Sequence, residues 1–136
     1  MAKTNGSRKP DRWQVPVGGN GFALKDCAPA AKPYSSGNKE ADKARVAELA
    51  REIDALQDLF YADKRYKLLV ILQGTDTAGK DGTIRAVFKE TSPLGVRAVG
   101  WKAPTELERS HDYLWRIHQE TPAAGEFMIH NRSHYE

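Results

Sequence analysis

The sequence predicts an α/β domain built on a parallel sheet. Three observations carry this. A short run of Leu and β-branched residues, Leu68-Leu69-Val70-Ile71-Leu72, has the length and composition of a buried strand. A glycine-bearing turn follows it directly and opens into a helical pattern. Strand and helix signals then alternate to the last residue, and that alternation implies right-handed crossovers between parallel strands.

Residues 1–37 are rich in Gly, Pro, Lys, Asn and Ser. Gly18-Gly19-Asn20-Gly21, Pro29 and Pro33 interrupt any regular element, which predicts a flexible tail and an extended arm. Trp13, Val15, Val17, Phe22 and Leu24 are the residues expected to pin the arm to a surface. The folded domain is expected over 38–136. It opens with a helix from about Asn38 to Tyr61, whose Val46, Leu49, Ile53, Leu56 and Phe60 form one apolar stripe. The stripe suits packing on its own domain or across a dimer interface better than a free coiled coil. Asn38 is the expected N-cap, and Glu40 favours the positive end of the helix dipole.

The first strand is expected over Lys67–Gln73, buried on both faces. A helix from Gly79 to Glu90 follows, with Ile84, Val87 and Phe88 on one side, and then a short strand at Val96–Val99. Thr105-Glu106-Leu107-Glu108 reads as a capping box and starts a helix expected to run to Gln119, stopped by Pro122 and Gly125. Phe127-Met128-Ile129 is the third strand.

Charge and composition narrow the partners. A net charge of +3 over 136 residues favours anions in general. No basic run or aromatic-rich basic patch singles out nucleic acid. No apolar stretch reaches membrane-spanning length, and residues 1–10 lack the apolar core of a signal peptide. Cys27 has no second cysteine to pair with. A cytosolic protein without membrane or nucleic-acid partners is expected.

The chemistry sits in Gly74-Thr75-Asp76-Thr77-Ala78-Gly79-Lys80-Asp81-Gly82-Thr83, which has the spacing G-x-x-x-x-G-K of a phosphate-binding P-loop between a strand and a helix. Gly74 and Gly79 are expected to take positive φ angles. The amides of Thr75, Thr77, Ala78, Gly79 and Gly82 would then share one concavity facing phosphate oxygens, with the helix N-terminus behind it. Lys80 brings a full positive charge to the transferred phosphate. The usual Ser or Thr after the lysine is Asp81, and Asp76 is a second carboxylate within the loop. Carboxylates beside a polyphosphate repel it unless a cation lies between, so Asp76 and Asp81 are the candidate Mg²⁺ ligands. Asp76 also suits accepting a proton from an attacking group, and Asp81 equally suits stabilising its own helix.

Asn131 and Arg132 close the third strand, at the edge where open α/β sheets bind ligands. Arg132 suits a bidentate phosphate contact, and Asn131 is a neutral ligand at best. Lys102, after the second strand, is a further candidate phosphate contact. Arg116 is expected to be structural, as are His111, His118, His130 and His134, which have no metal-ligand spacing.

The stretch Leu72–Thr83, Lys102-Ala103-Pro104, Leu114-Trp115-Arg116-Ile117-His118 and Asn131-Arg132-Ser133-His134-Tyr135-Glu136 resemble polyphosphate kinase family 2. The likeness runs from about Phe22 to the last residue. It implies a three-layer P-loop kinase-like fold with helices on both faces of the parallel sheet. It also implies Mg²⁺-dependent phosphoryl transfer between inorganic polyphosphate and a nucleotide, AMP or ADP becoming ADP or ATP, or the reverse. By motif position it gives the catalytic roles to Asp76 (metal or acceptor phosphate), Lys80 (transferred phosphate) and Arg132 (phosphate). Asn131 resembles the subgroup that uses AMP and ADP. Members of the family are longer, so the sequence is expected to match their N-terminal half only. The fold is then truncated after the third strand and lacks the later strands and basic lid helices. A homo-oligomer is expected. The competing readings are an inactive fragment or module that only binds phosphate, and an ATP-dependent nucleoside monophosphate kinase.

Overall fold

A computed structural model describes Ala30 and residues 32–135. The anchoring residues expected on the arm, Trp13 to Leu24, lie outside the described residues, and so does Cys27. The chain divides into two units, residues 1–39 and 40–136. In the first, the Ser35 amide closes a turn on the Lys32 carbonyl at 3.1 Å. The domain proper follows the order α1 (Lys39–Asp63), β1 (Leu68–Leu72), α2 (Lys80–Phe88), β2 (Val96–Gly100), α3 (Glu106–Arg109), α4 (Trp115–Gln119) and β3 (Phe127–Asn131).

The sheet is parallel throughout, with order β1-β3-β2. This corrects the expectation for β1. The strand buried on both faces is β3, whose Phe127, Met128, Ile129 and His130 are all buried. Among the described residues β1 lies at an edge, and its Leu68, Leu69 and Ile71 are exposed. An apolar run identifies a strand, but strand order follows from long-range pairing that the run does not encode.

Alternation along β3 separates the two faces. Phe127 and Ile129 share one with Val96 and Ala98. On this face Phe60 of α1 meets Phe127 edge-on, with ring centroids 4.8 Å apart, a contact worth about 1 kcal/mol beyond its burial. Ile84 and Phe88 of α2 line a groove with Val96, Ala98 and Ile129. On the opposite face Ile117 of α4 is buried, and His130 donates from Nε2 to the Glu120 carbonyl at 2.8 Å. His130 is structural, as expected. Helices on both faces make three layers.

The buried face of α1 differs from the expected stripe. Ala50 and Gln57 are its buried residues, with Ile53 and Phe60 half-buried, whereas Val46, Leu49 and Leu56 face outward with Leu59. The buried side of α1 thus carries a small residue, Ala50, and a polar one, Gln57, and Gln57 lies against the turn before β2. A Cβ at Gly95 would stand 2.0 Å from Gln57 Nε2 and 2.9 Å from the Tyr61 ring.

The single helix expected from Thr105 to Gln119 is two short ones. The capping box forms as expected: Thr105 accepts from the Glu108 amide at 3.2 Å, and Glu108 accepts from the Thr105 amide at 2.6 Å. The break follows because Ser110 Oγ and His111 Nδ1 both take the Leu107 carbonyl, at 2.8 Å each, in place of a continuing backbone ladder.

An ion-pair group ties β2 to the segment before β3. Arg97 bonds Glu126 and also Glu120, the latter at 3.2 Å. The bond from Arg97, helped by the Ala123 amide, holds the Glu126 carboxyl below the ordinary glutamate value of 4.5. The Thr105 amide does the same to Glu108. Depressed folded values contribute stability that is complete above the unfolded value and is lost as pH falls through the folded one. Thermal unfolding followed between pH 6 and pH 3 should therefore show stability declining below about pH 4.5, and Glu126→Gln should flatten that decline. Separately, Gly95→Ala should cost about 1–3 kcal/mol in denaturant unfolding, because the added methyl would displace the buried Gln57 side chain and press on the Tyr61 ring.

Candidate functional site

The loop between β1 and α2 is shaped by two residues in left-handed conformation, Thr77 (φ 62°) and Gly79 (φ 86°). Gly79 was expected there. Gly74 was expected too, but its φ is not positive. It serves close approach instead, since a Cβ on it would lie 3.2 Å from the Ala78 Cβ. Thr77 takes the second left-handed position, and a β-branched residue holds it only at a cost. Sequence reasoning had no signal for that.

The Ala78 amide bonds the Thr75 carbonyl at 3.2 Å, closing the turn. Gly79 then N-caps α2 without any side-chain bond, so none of the first amides of that helix is taken by a cap. Lys80 reaches back along the loop, its Nζ donating to the Gly74 carbonyl and to the Thr75 carbonyl, the latter at 3.1 Å.

β3 delivers the other half of the site. Its register sets Asn131 beside Leu72, the residue at which β1 ends. The Arg132 amide continues the pairing onto the Leu72 carbonyl at 3.2 Å. Arg132 then turns at φ 94°, and its Nη2 donates to Asp76 Oδ1 at 2.8 Å. Asn131 Nδ2 donates to Asp81 Oδ1. Asn131 Oδ1 is buried without a partner.

These residues line an open cavity of about 220 Å³, formed by Asp76 to Asp81, from the loop into the first turn of α2, together with Asn131 and Arg132. Most of the sequence-derived site residues thus converge. Gly74 and Thr75 contribute carbonyls to Lys80 and do not line the cavity, and Gly82 lies within α2. Lys102 does not line it either. Its carbonyl accepts from Arg116 Nη1 at 2.9 Å. Arg116 also lies over the Trp101 ring at 5.0 Å and beside Glu108 at 3.7 Å, which makes it the brace of the β2–α3 loop, in keeping with the structural role expected of it.

Two carboxylates, Asp76 and Asp81, and two cations, Lys80 and Arg132, face the cavity, so its formal charge sums to zero. The volume is below the roughly 300–1,000 Å³ of small-molecule pockets, and it has room for phosphate groups.

A family model described as Polyphosphate kinase 2 (PPK2) matches residues 36–136. The chain belongs to the polyphosphate kinase 2 family. An AMP/ADP-polyphosphate phosphotransferase from Meiothermus ruber is 48% identical over 115 residues, covering 85% of this chain and 43% of its own. An ADP-polyphosphate phosphotransferase from Rhodopseudomonas palustris is 43% identical over 81 residues, 60% of this chain and 28% of its own. The crystal structure of polyphosphate kinase 2 from Arthrobacter aurescens TC1 superposes with a TM-score of 0.79 at 40% identity, over 86% of this chain and 43% of that one. The chain thus spans less than half the length of these relatives. The α/β fold with its parallel sheet is the fold of the family.

Gly79 is the point on which the loop geometry turns. Gly79→Ala meets no atom within 4 Å, so its cost is conformational alone, about 1–2 kcal/mol in thermal or denaturant unfolding.

Proposed function

We propose that this chain carries the donor-phosphate half of an Mg²⁺-dependent transfer between inorganic polyphosphate and a nucleotide, AMP or ADP. The observation that carries the reading is the convergence of Lys80, Arg132 and the uncapped α2 N-terminus on a cavity of phosphate size. The names of the relatives support the substrates.

The residues fit Mg²⁺ modestly. Among the described residues no group of three or more His, Cys, Asp or Glu converges. Mg²⁺ in phosphoryl transfer needs only one or two carboxylates, with substrate phosphates and water completing its shell. Asp76 and Asp81 supply the carboxylates, and the unpartnered Asn131 Oδ1 is an oxygen in search of a donor or cation. When bound, the ion would neutralise phosphate charge.

In the transfer, an acceptor phosphate oxygen forms a bond to the terminal phosphorus of the chain, and the bond from that phosphorus to the next bridging oxygen breaks. Lys80 moves from the loop carbonyls to the transferred group, and the loop amides hold its equatorial oxygens. Arg132 spans two phosphate oxygens with its planar guanidinium. Asp76, with its side chain 82% exposed, orients the acceptor side. The reading includes a cytosolic setting and self-association, the latter supported by the outward leucines of α1.

The test is turnover by the purified chain with Mg²⁺, long-chain polyphosphate and AMP or ADP, followed by chromatography. Formation of ADP or ATP, reduced roughly a hundredfold or more in Lys80→Ala, is the expected result. Polyphosphate binding without turnover would make the chain a binding module. Turnover with ATP as sole donor would make it a nucleoside monophosphate kinase.

A further inference from the structure

We infer that the phosphate site is latched by its own carboxylates and is opened by a divalent cation before it takes the anion. The inference rests on the reading of this cavity as a polyphosphate site, and it assigns the order in which the ligands enter.

Each charged side chain lining the cavity is bonded within the site. The Arg132 guanidinium, the natural fork for phosphate, holds Asp76 at 2.8 Å. Asp81 is held by Asn131 from the same strand end. Lys80 is folded onto the Gly74 and Thr75 carbonyls. Two links therefore cross from the end of β3, one to the loop and one to the first turn of α2, and both end on carboxylates. Thr77 and Arg132 keep left-handed backbone on either side of them. With two positive and two negative side chains, the cavity offers an incoming polyanion no net side-chain charge, only the loop amides and the α2 N-terminus, and its best phosphate fork is already occupied by a carboxylate.

A divalent cation reverses this. Carboxylates that bind it leave Arg132 and Asn131, and the guanidinium is then free to turn to phosphate while the site becomes net positive. The Asp76–Arg132 pair is well exposed, at 82% and 44%, so it is a light latch that an ion at millimolar concentration can open. Asn131 matters as a neutral residue. Its amide satisfies Asp81 without a cation, whereas a carboxylate at that position would repel Asp81 and leave nothing to hold it.

The experiment measures equilibrium binding of a fluorescently labelled polyphosphate to the full chain, in EDTA and in Mg²⁺. The wild type should bind weakly in EDTA and more tightly with Mg²⁺. Asp76→Asn should bind about tenfold tighter than wild type in EDTA, and Mg²⁺ should then add less. That gain should vanish in an Arg132→Ala background, because the latch acts through Arg132. A gain that persists without Arg132 is simple charge removal and overturns the latch, as does Asp76→Asn binding no tighter than wild type in EDTA. If the wild type binds no polyphosphate even with Mg²⁺, the latch falls together with the reading of the site. Circular dichroism of each variant confirms that the exposed substitutions leave the fold intact.

Discussion

The pairing of β1 with β3, in the register that sets Leu72 beside Asn131, is the constraint from which the rest of the site follows. It brings the end of one strand, where the loop begins, against the end of another, where Asn131 and Arg132 stand. A slip of one residue would send Asn131 to the other face of the sheet and separate it from Asp81. The register is secured by burial. Phe127 to His130 are buried on both faces, so the strand has no solvent-tolerant alternative. The chemistry at the rim is exposed, but its geometry is inherited from the driest part of the molecule.

Local signals in the sequence read true where the structure they encode is local. The capping box at Thr105 and Glu108 forms with both of its bonds, because both partners lie within one turn. The glycine-and-lysine spacing places the loop correctly, since strand, turn and helix are contiguous. Arg132 and Asn131 were legible as strand-end residues. Their bonds to Asp76 and Asp81 were not, since those depend on strand order. The same limit explains why Leu68–Leu72 looked like the buried strand when it is an edge. Two misreadings were of a different kind. The helix through Ser110 fails because polar side chains compete for one carbonyl. The face of α1 is misjudged because its fully buried positions are Ala50 and Gln57 rather than the leucines. Lys102 was placed near the phosphates by its position after β2, yet the Arg116 brace holds the backbone of its loop and its side chain stays outside the cavity.

The cavity is small, and its lining is mostly loop backbone and charged groups. No aromatic side chain lines it.

The placement of β3 also bears on how the chain acquires its structure. β1 and β2 are neighbours in sequence order but do not pair with each other, and each finds its partner only in Phe127–Asn131. During synthesis, both strands leave the ribosome with open hydrogen-bonding edges, and no sheet exists until the last of the three appears. Contacts of such long sequence separation are slow to form. Until then Leu68–Leu72, five apolar residues without a charge, stands open to association with other nascent chains.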